Sequence, residues 1–341
     1  MRRSQSGLAL IMVLMIFAVV SVLATVMIDR QSRDIQRAIA QLSTQQARAL
    51  TFGVESVVRS GLHLDWENDP DIDHAMEEWN IDRQFPMDNG AVLVHIADAQ
   101  GRFNLNWLSP SASNQSLWQQ RFYKLLNDLG LDVEIAERLA NWFNSESQVD
   151  NDYLGLEVPY RAAYNLCAHT SELMLVEGVD QATYDRLEPY IACLPATTQL
   201  NVNTASDLVL ASLGTDLTIE DGQTIISERG DEGFTDVDAF MTVDAVKKAA
   251  TKTTTESDSD SSSDSDSESS SKSGWSNDDF TVKTEYFEIF TQVAYGPGSE
   301  WVATAEMLLK RDASSGNFRT IYRDFSRLQA RPVAESVSTT Q

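Results

Sequence analysis

Two cysteines and four histidines are all that 341 residues hold of the side chains that most often bind zinc or form nucleophile–base pairs. That is too little for a Cys/His metal cluster or a Cys–His enzyme. No GxSxG elbow, phosphate-cradling GxxxxGK[ST] loop or HExxH helix occurs. Positive charge is also scarce: 26 Lys and Arg against 51 Asp and Glu leave a formal net charge of −25. Such a surface repels phosphate, which counts against nucleic-acid binding and against docking on anionic lipid headgroups. The acids contain the material for a carboxylate pair of the glycosidase kind, but no spacing singles out two of them. His63, His74, His95 and His169 are scattered and read as surface or half-buried residues. The expectation is a protein that is not an enzyme.

Three local absences organise the chain. No charged residue lies between Leu8 and Ile28, no proline precedes Pro70, and no apolar residue lies between Glu256 and Ser273. The first stretch, as a helix, spans about 31 Å, one bilayer core. Arg2 and Arg3 hold its amino end on the cytoplasmic side, so the residues after Ile28 are expected outside. A cleaved signal peptide is the alternative, although its apolar core is ordinarily about 7–15 residues. Without proline the helix can run on. Ile35, Ile39, Leu42, Leu50, Val54 and Val57 fall at helical spacings, which predicts an amphipathic continuation to about residue 62; an anchor plus a separate helix is the other reading. Residues 256–273 hold eleven Ser, six Asp or Glu and one Lys, a composition that cannot bury apolar surface. Residues 251–278 are therefore expected to be a disordered, solvated loop.

Residues 91–105 read as a strand, a hairpin turn at Gln100-Gly101 and a second short strand. Helical patterns follow at 116–129, 132–144, 180–190, 204–213 and 218–229, opened by the cap-type residues Ser116, Asp132, Asp180, Thr204 and Thr218. Aromatic and β-branched runs at 284–295, 300–310 and 318–329, joined by glycine-bearing turns, predict a three-stranded antiparallel meander packed on the long helix. The fold class is α+β: a long amino-terminal helix and an antiparallel sheet, interrupted by a large all-helical domain. The expected segments are 8–28, 29–108, the insertion 109–250, the loop 251–278, the meander 279–330 and a flexible tail 331–341.

A short basic leader ending in Gly7, followed by an apolar helix that becomes amphipathic, resembles type IV pilin-like proteins. The resemblance narrows with GRFNLNWL at 101–108, LANWFN at 139–144, PYRAAYN at 159–165, SELMLVEGVD at 171–180 and LNVNTAS at 200–206. These stretches, in this order, resemble the K minor pseudopilins of type II secretion, and the likeness covers nearly the whole chain apart from 251–278. It implies a pilin-like fold with a large inserted helical domain. It also implies that prepilin peptidase removes residues 1–7 after Gly7 and methylates Leu8. Most pilin-like proteins carry Glu at the fifth mature position, here Met12. A buried carboxylate needs a positive partner from a neighbouring subunit, and a subunit at the tip lacks one such neighbour. The resemblance therefore implies a single-pass inner-membrane protein with its carboxy-terminal bulk in the periplasm, at the tip of the pseudopilus. Its implied partners are the I and J minor pseudopilins, with secreted substrates or the outer-membrane channel as further candidates.

Two sites are expected in the inserted domain. Asn144, Glu146, Asp150 and Asp152, with Glu157 beyond, form an oxygen-rich loop of the kind that suits Ca²⁺, but their spacing is not that of an EF-hand. A solvated acidic loop is the competing reading, and the family resemblance favours calcium, with altered ligands because Asn144 stands where the family has Asp. Cys167 and Cys193 are expected to pair in an oxidising compartment, for roughly 3 kcal/mol of stabilisation; two buried thiols are the alternative. LNVNTASDLVLASL also resembles half of a helix-hairpin-helix, so a membrane-anchored DNA-uptake or competence protein is the second functional reading. The acids that follow it argue instead for a packing module that binds no nucleic acid.

Overall fold

The computed structural model describes residues 6–88, 90–258, 274–295 and 301–325. The leader residues 1–5, most of the Ser/Asp-rich segment and the tail 331–341 lie outside these described residues.

One helix, α1 (Ser6–Asn68), takes up the first fifth of the chain. At 1.5 Å per residue it is about 95 Å long. It begins inside the expected leader, with Gly7 and Leu8 already helical, and it ends where Asp69 precedes Pro70, a position that disfavours helical geometry. A five-stranded sheet follows, ordered β1 (Arg83–Met87), β2 (Gly90–Asp98), β7 (Tyr286–Tyr295), β8 (Trp301–Arg311) and β9 (Phe318–Asp324), every pairing antiparallel. Three strands form the expected meander. The edge strand β1 went unseen in the sequence because Pro86 and its exposed pattern do not alternate.

The face of α1 that packs on this sheet shares only part of the apolar stripe read from the sequence: Leu50 and Val54 pack partly against its core. Ser43, Ala47, Thr51, Glu55, Val58 and Leu62 are the buried positions, and the core they help form holds Val92, Val94, Phe287, Ile289, Val293, Ala305, Met307 and Leu309. Small residues let the helix lie close, and one buried carboxylate, Glu55, is paid for by partners on β9. The larger residues Ile35, Ile39, Leu42 and Val57 stay exposed.

Between β2 and β7 the chain builds a helical body: α2 (Gln115–Asp128), α3 (Ile135–Phe143), α4 (Asp150–Leu154), α5 (Gln181–Leu187), α6 (Asp207–Ala211), α7 (Ile219–Arg229), α8 (Val237–Thr242) and α9 (Asp244–Asp258). The short strand pairs β3 (Phe103–Asn104) with β4 (Ile191–Ala192) and β5 (Leu200–Asn201) with β6 (Phe280–Thr281) are parallel. The expected hairpin at Gln100-Gly101 is thus corrected. β3 leaves the main sheet because Gln100 reaches the Gln199 carbonyl and Gly101 lies against Thr204, where a Cβ would stand 2.5 Å from Oγ1. The helical core begins at Phe103 rather than at residue 109, and takes back Phe280 and Val282 after the Ser/Asp-rich segment. α9 carries helix to Asp258, eight residues into the segment expected to be disordered, while 274–278 are ordered by Trp275 beside Phe280. α6 starts from the Ser206 cap, not Thr204, because the Thr204 hydroxyl is used elsewhere.

β7 is buried on both faces. One face meets α1. The other, together with the same face of β8, meets the helical body through polar side chains: Arg102 pairs with Glu288 of β7 at 2.8 Å, and Glu306 of β8 takes His169 at 3.0 Å and, within the sheet, the Tyr322 hydroxyl of β9 at 3.0 Å. The inserted domain therefore sits on the back of the sheet, opposite the long helix.

Candidate assembly surface

From Leu10 to Ile28 the large apolar side chains of α1 are 42–70% exposed. Apolar residues all round a helix, with no charge among them, belong in lipid or against other helices. By length and composition this is a candidate membrane span, the one found among the described residues. Met12 lies within it, with its side chain outward. Gly7 and Leu8 occupy the first turns of the helix.

Further along, the unpacked stripe opens into a cleft. Leu50, Val54, Val57 and Leu64 on α1 face Phe85, Met87 and Ile96 of β1 and β2 across a space of about 890 Å³. It exists because α1 lies over β7 and β8, leaving the β1 side of the sheet without a helix above it. On the other side of α1, Glu55 accepts from Arg323 Nε at 2.6 Å, Arg59 Nη2 at 2.7 Å and Thr320 Oγ1 at 2.6 Å. Burial works to raise the Glu55 carboxyl, but these partners outweigh it and hold the pKa below its ordinary value.

Asp98, at the end of β2, anchors the junction between sheet and inserted domain. Its Oδ2 accepts from Asn201 Nδ2 at 2.9 Å and from the Thr204 and Thr284 hydroxyls at 2.5 Å; its Oδ1 accepts the Gln100 N–H at 2.7 Å. Complete burial nonetheless pushes Asp98 up to about 6. Asn201 also donates to the Asp73 carbonyl, and Asp73 Oδ2 accepts from the Thr284 N–H and from Arg311.

The residues expected to hold calcium are placed as follows. Asn144 Oδ1 accepts the Glu146 N–H at 2.9 Å, and Asp150 accepts the Ala162 N–H at 3.2 Å with Arg161 at 3.5 Å. Glu146, Asp152 and Glu157 are exposed. No three of these carboxylates converge: among the described residues the one such group is Asp65, Asp73 and Glu77, whose ligand atoms all lie within 4.8 Å of one another. The sequence signalled Asp65, Asp73 and Glu77 only as members of an acid-rich stretch, because their convergence depends on how the chain turns after Pro70. Burial, together with the neighbouring Asp65 carboxyl, pushes Glu77 up to about 8; burial raises Asp65 as well.

Cys167 and Cys193 form a disulfide with Cα atoms 5.6 Å apart, tying the segment before β4 to the chain that leaves it. In the segment that resembles a helix-hairpin-helix, Arg229 is the one basic residue between 200 and 246. It is turned inward, donating to the Val202 and Ala205 carbonyls at 3.1 and 2.9 Å. That leaves no cation of this segment to meet a phosphate.

Two family models described as Type II secretion system (T2SS), protein K, match residues 101–196 and 200–257. The Type II secretion system protein K of Pseudomonas aeruginosa is 34% identical over 95% of this chain and 94% of its own length. That of Klebsiella pneumoniae is 30% identical over 74% of this chain and 83% of its own. In fold, the chain is similar to one in the crystal structure of the GspK-GspI-GspJ complex from the enterotoxigenic Escherichia coli Type 2 Secretion System. The TM-score is 0.69 at 24% identity, covering 85% of this chain and 99% of that one.

Proposed function

The chain belongs to the type II secretion system protein K family, and from that premise we propose that it is a minor pseudopilin at the tip of the pseudopilus, where it helps start assembly for protein export across the outer membrane. The observation that carries this reading is the division of α1: a bare, charge-free first half, and a second half fastened to a sheet whose far face bears a bulky domain. Prepilin peptidase cuts after Gly7 and methylates Leu8. The apolar half then exchanges inner-membrane lipid for the helices of other pseudopilins, with the rest of the chain in the periplasm. Met12 removes the need for a positive neighbour above, which suits a terminal position. The I and J minor pseudopilins are its proposed partners; the relative solved with GspI and GspJ supports this. The acidic surface is proposed to face secreted substrates or the outer-membrane channel. The role is assembly, not catalysis.

Mass spectrometry of the protein made with and without prepilin peptidase tests the class: loss of seven residues and gain of one methyl group are expected, and an uncut Gly7 would overturn it. Co-purification with the other minor pseudopilins tests position, and failure to form a complex would argue against the tip.

Calcium in the 144–157 loop is proposed on donor chemistry alone, and it requires Asp150 to leave Arg161 for the ion. A calcium-dependent rise in Tm that is smaller in Asp150→Asn than in the wild type would support it; an equal rise in both would remove it.

A further inference from the structure

Three carboxylates from separate places meet where α1 ends. Asp65 lies in its last turns, Asp73 in the loop after Pro70, and Glu77 just before the 3-10 turn Glu78–Asn80. One oxygen of each lies within 4.8 Å of the others. Two oxygens bound to one calcium at its usual bond length stand at most about 5 Å apart, so all three can reach a common ion without rearranging the backbone.

Charge and burial point the same way. Three carboxylates oppose one guanidinium, that of Arg311 on Asp73, with the His74 imidazole 4.0 Å from Glu77; with that imidazole neutral, a divalent cation would bring the group to neutrality. Asp73 is only 1% exposed. Its Oδ2 is occupied by Arg311 and the Thr284 N–H, while its Oδ1 is buried with no hydrogen-bond partner. A buried carboxylate oxygen left bare in this way is costly unless something charged or protic meets it. The ligand atoms are all oxygens, which selects a hard cation over zinc or copper, and the irregular spacing suits calcium better than the strict octahedron of magnesium.

We propose that Asp65, Asp73 and Glu77 bind one calcium ion that clamps the end of α1 to the junction with the inserted domain. Asp73 is the link, since its carbonyl accepts from Asn201 and its Oδ2 holds the β8 residue Arg311. The ion thus couples the assembly helix to the orientation of the domain behind the sheet. The site is separate from the 144–157 loop and stands whether or not the assembly reading does.

Trp79 makes the site testable, because its Nε1 donates to Glu77 Oε2 at 2.7 Å and places an indole beside the ion. The full chain in detergent is titrated with terbium(III) and excited through tryptophan. Sensitised emission is expected, displaced by excess calcium and lost in Trp79→Phe. Asp65→Asn and Glu77→Gln should each weaken the Trp79-dependent terbium signal by about tenfold or more. Calcium should also raise the wild-type Tm. Asp73→Asn is avoided because it also frees Arg311; Asp65→Asn keeps the experiment decisive if Glu77→Gln fails to fold. Emission that survives Trp79→Phe, or that is indifferent to Asp65→Asn, would overturn the proposal. So would absent emission with a Tm that calcium does not move, which would leave Asp65 and Glu77 as a pair sharing a proton.

Discussion

In the inserted domain Phe122, Leu125 and Ile135 are fully buried, and Trp107 stacks on Trp118 with ring centres 3.9 Å apart. On α1, Ile35, Ile39, Leu42 and Val57 remain 44–66% exposed. Both sets are apolar and helical, yet one body closes over its core and the other leaves a stripe and a cleft open. The helical body is stitched by a disulfide and by the Arg121 guanidinium, which is fully buried, lies 4.3 Å from the Trp118 ring centre and stands near Trp275 and Phe280. The helix–sheet body holds its long rod by small residues and the ionic pin at Glu55. α1 is fastened by a narrow seam, which leaves the rest of its surface open.

The contrast can be broken most severely inside the helical core. Phe122→Ala should cost about 3–5 kcal/mol and lower Tm by roughly 10 °C, read by circular dichroism. The double change Cys167→Ser and Cys193→Ser should remove roughly 3 kcal/mol, and reductant should reproduce that loss in the wild type but not in the variant. On the helix–sheet side, Glu55→Ala strands Arg323 and Arg59 and should cost about 2–3 kcal/mol by denaturant titration.

The two buried carboxylates sharpen the comparison through pH. Glu55 is held below its ordinary 4.5, so its contribution is present above that value and fades as pH falls through the folded-state pKa. Asp98 is raised from 3.8 to about 6, so the folded protein keeps a proton that the unfolded chain has released. Its contribution is therefore complete below about pH 4 and is lost as pH rises through about 6, by roughly 3 kcal/mol. Calorimetry from pH 4 to 8 should show this slope in the wild type and not in Asp98→Asn. The smallest effect on the lone chain is expected for Ile39→Ser, under about 0.5 kcal/mol, because that residue is 44% exposed among the described residues. The same change should weaken complexes with other pseudopilins in co-purification, and undiminished association would show that the exposed stripe is not the contact.

The long helix, the meander and the starts of α5 and α7 were legible in the sequence, because they depend on neighbours a few residues away; Ser116 and Asp132 are not caps, since α2 opens from Asn114 and α3 from Glu134. Absence of proline lets α1 run to Asn68, and Asp180 and Thr218 cap the helices that follow them through the N–H groups of Thr183 and Asp221. Cap chemistry failed at Thr204, whose hydroxyl goes to Asp98, more than a hundred residues earlier in the chain. The amphipathic reading of α1 found Leu50 and Val54, which pack partly on the sheet, but not Ala47 and Thr51 beside them, because close approach to a sheet rewards small side chains.

From composition and pattern alone follow the charge-free rod, the α+β layout, the interrupting helical domain and the poverty of catalytic material. Each is a property of local sequence or of summed charge. Tertiary structure alone decided which face of α1 meets the sheet, that the insertion sits behind β7 through Arg102 and His169, and that Asp65, Asp73 and Glu77 converge while the acids of 144–157 do not. Those outcomes depend on where the chain turns after Pro70 and Asp98, and pairings between residues far apart along a chain leave no periodic trace in it.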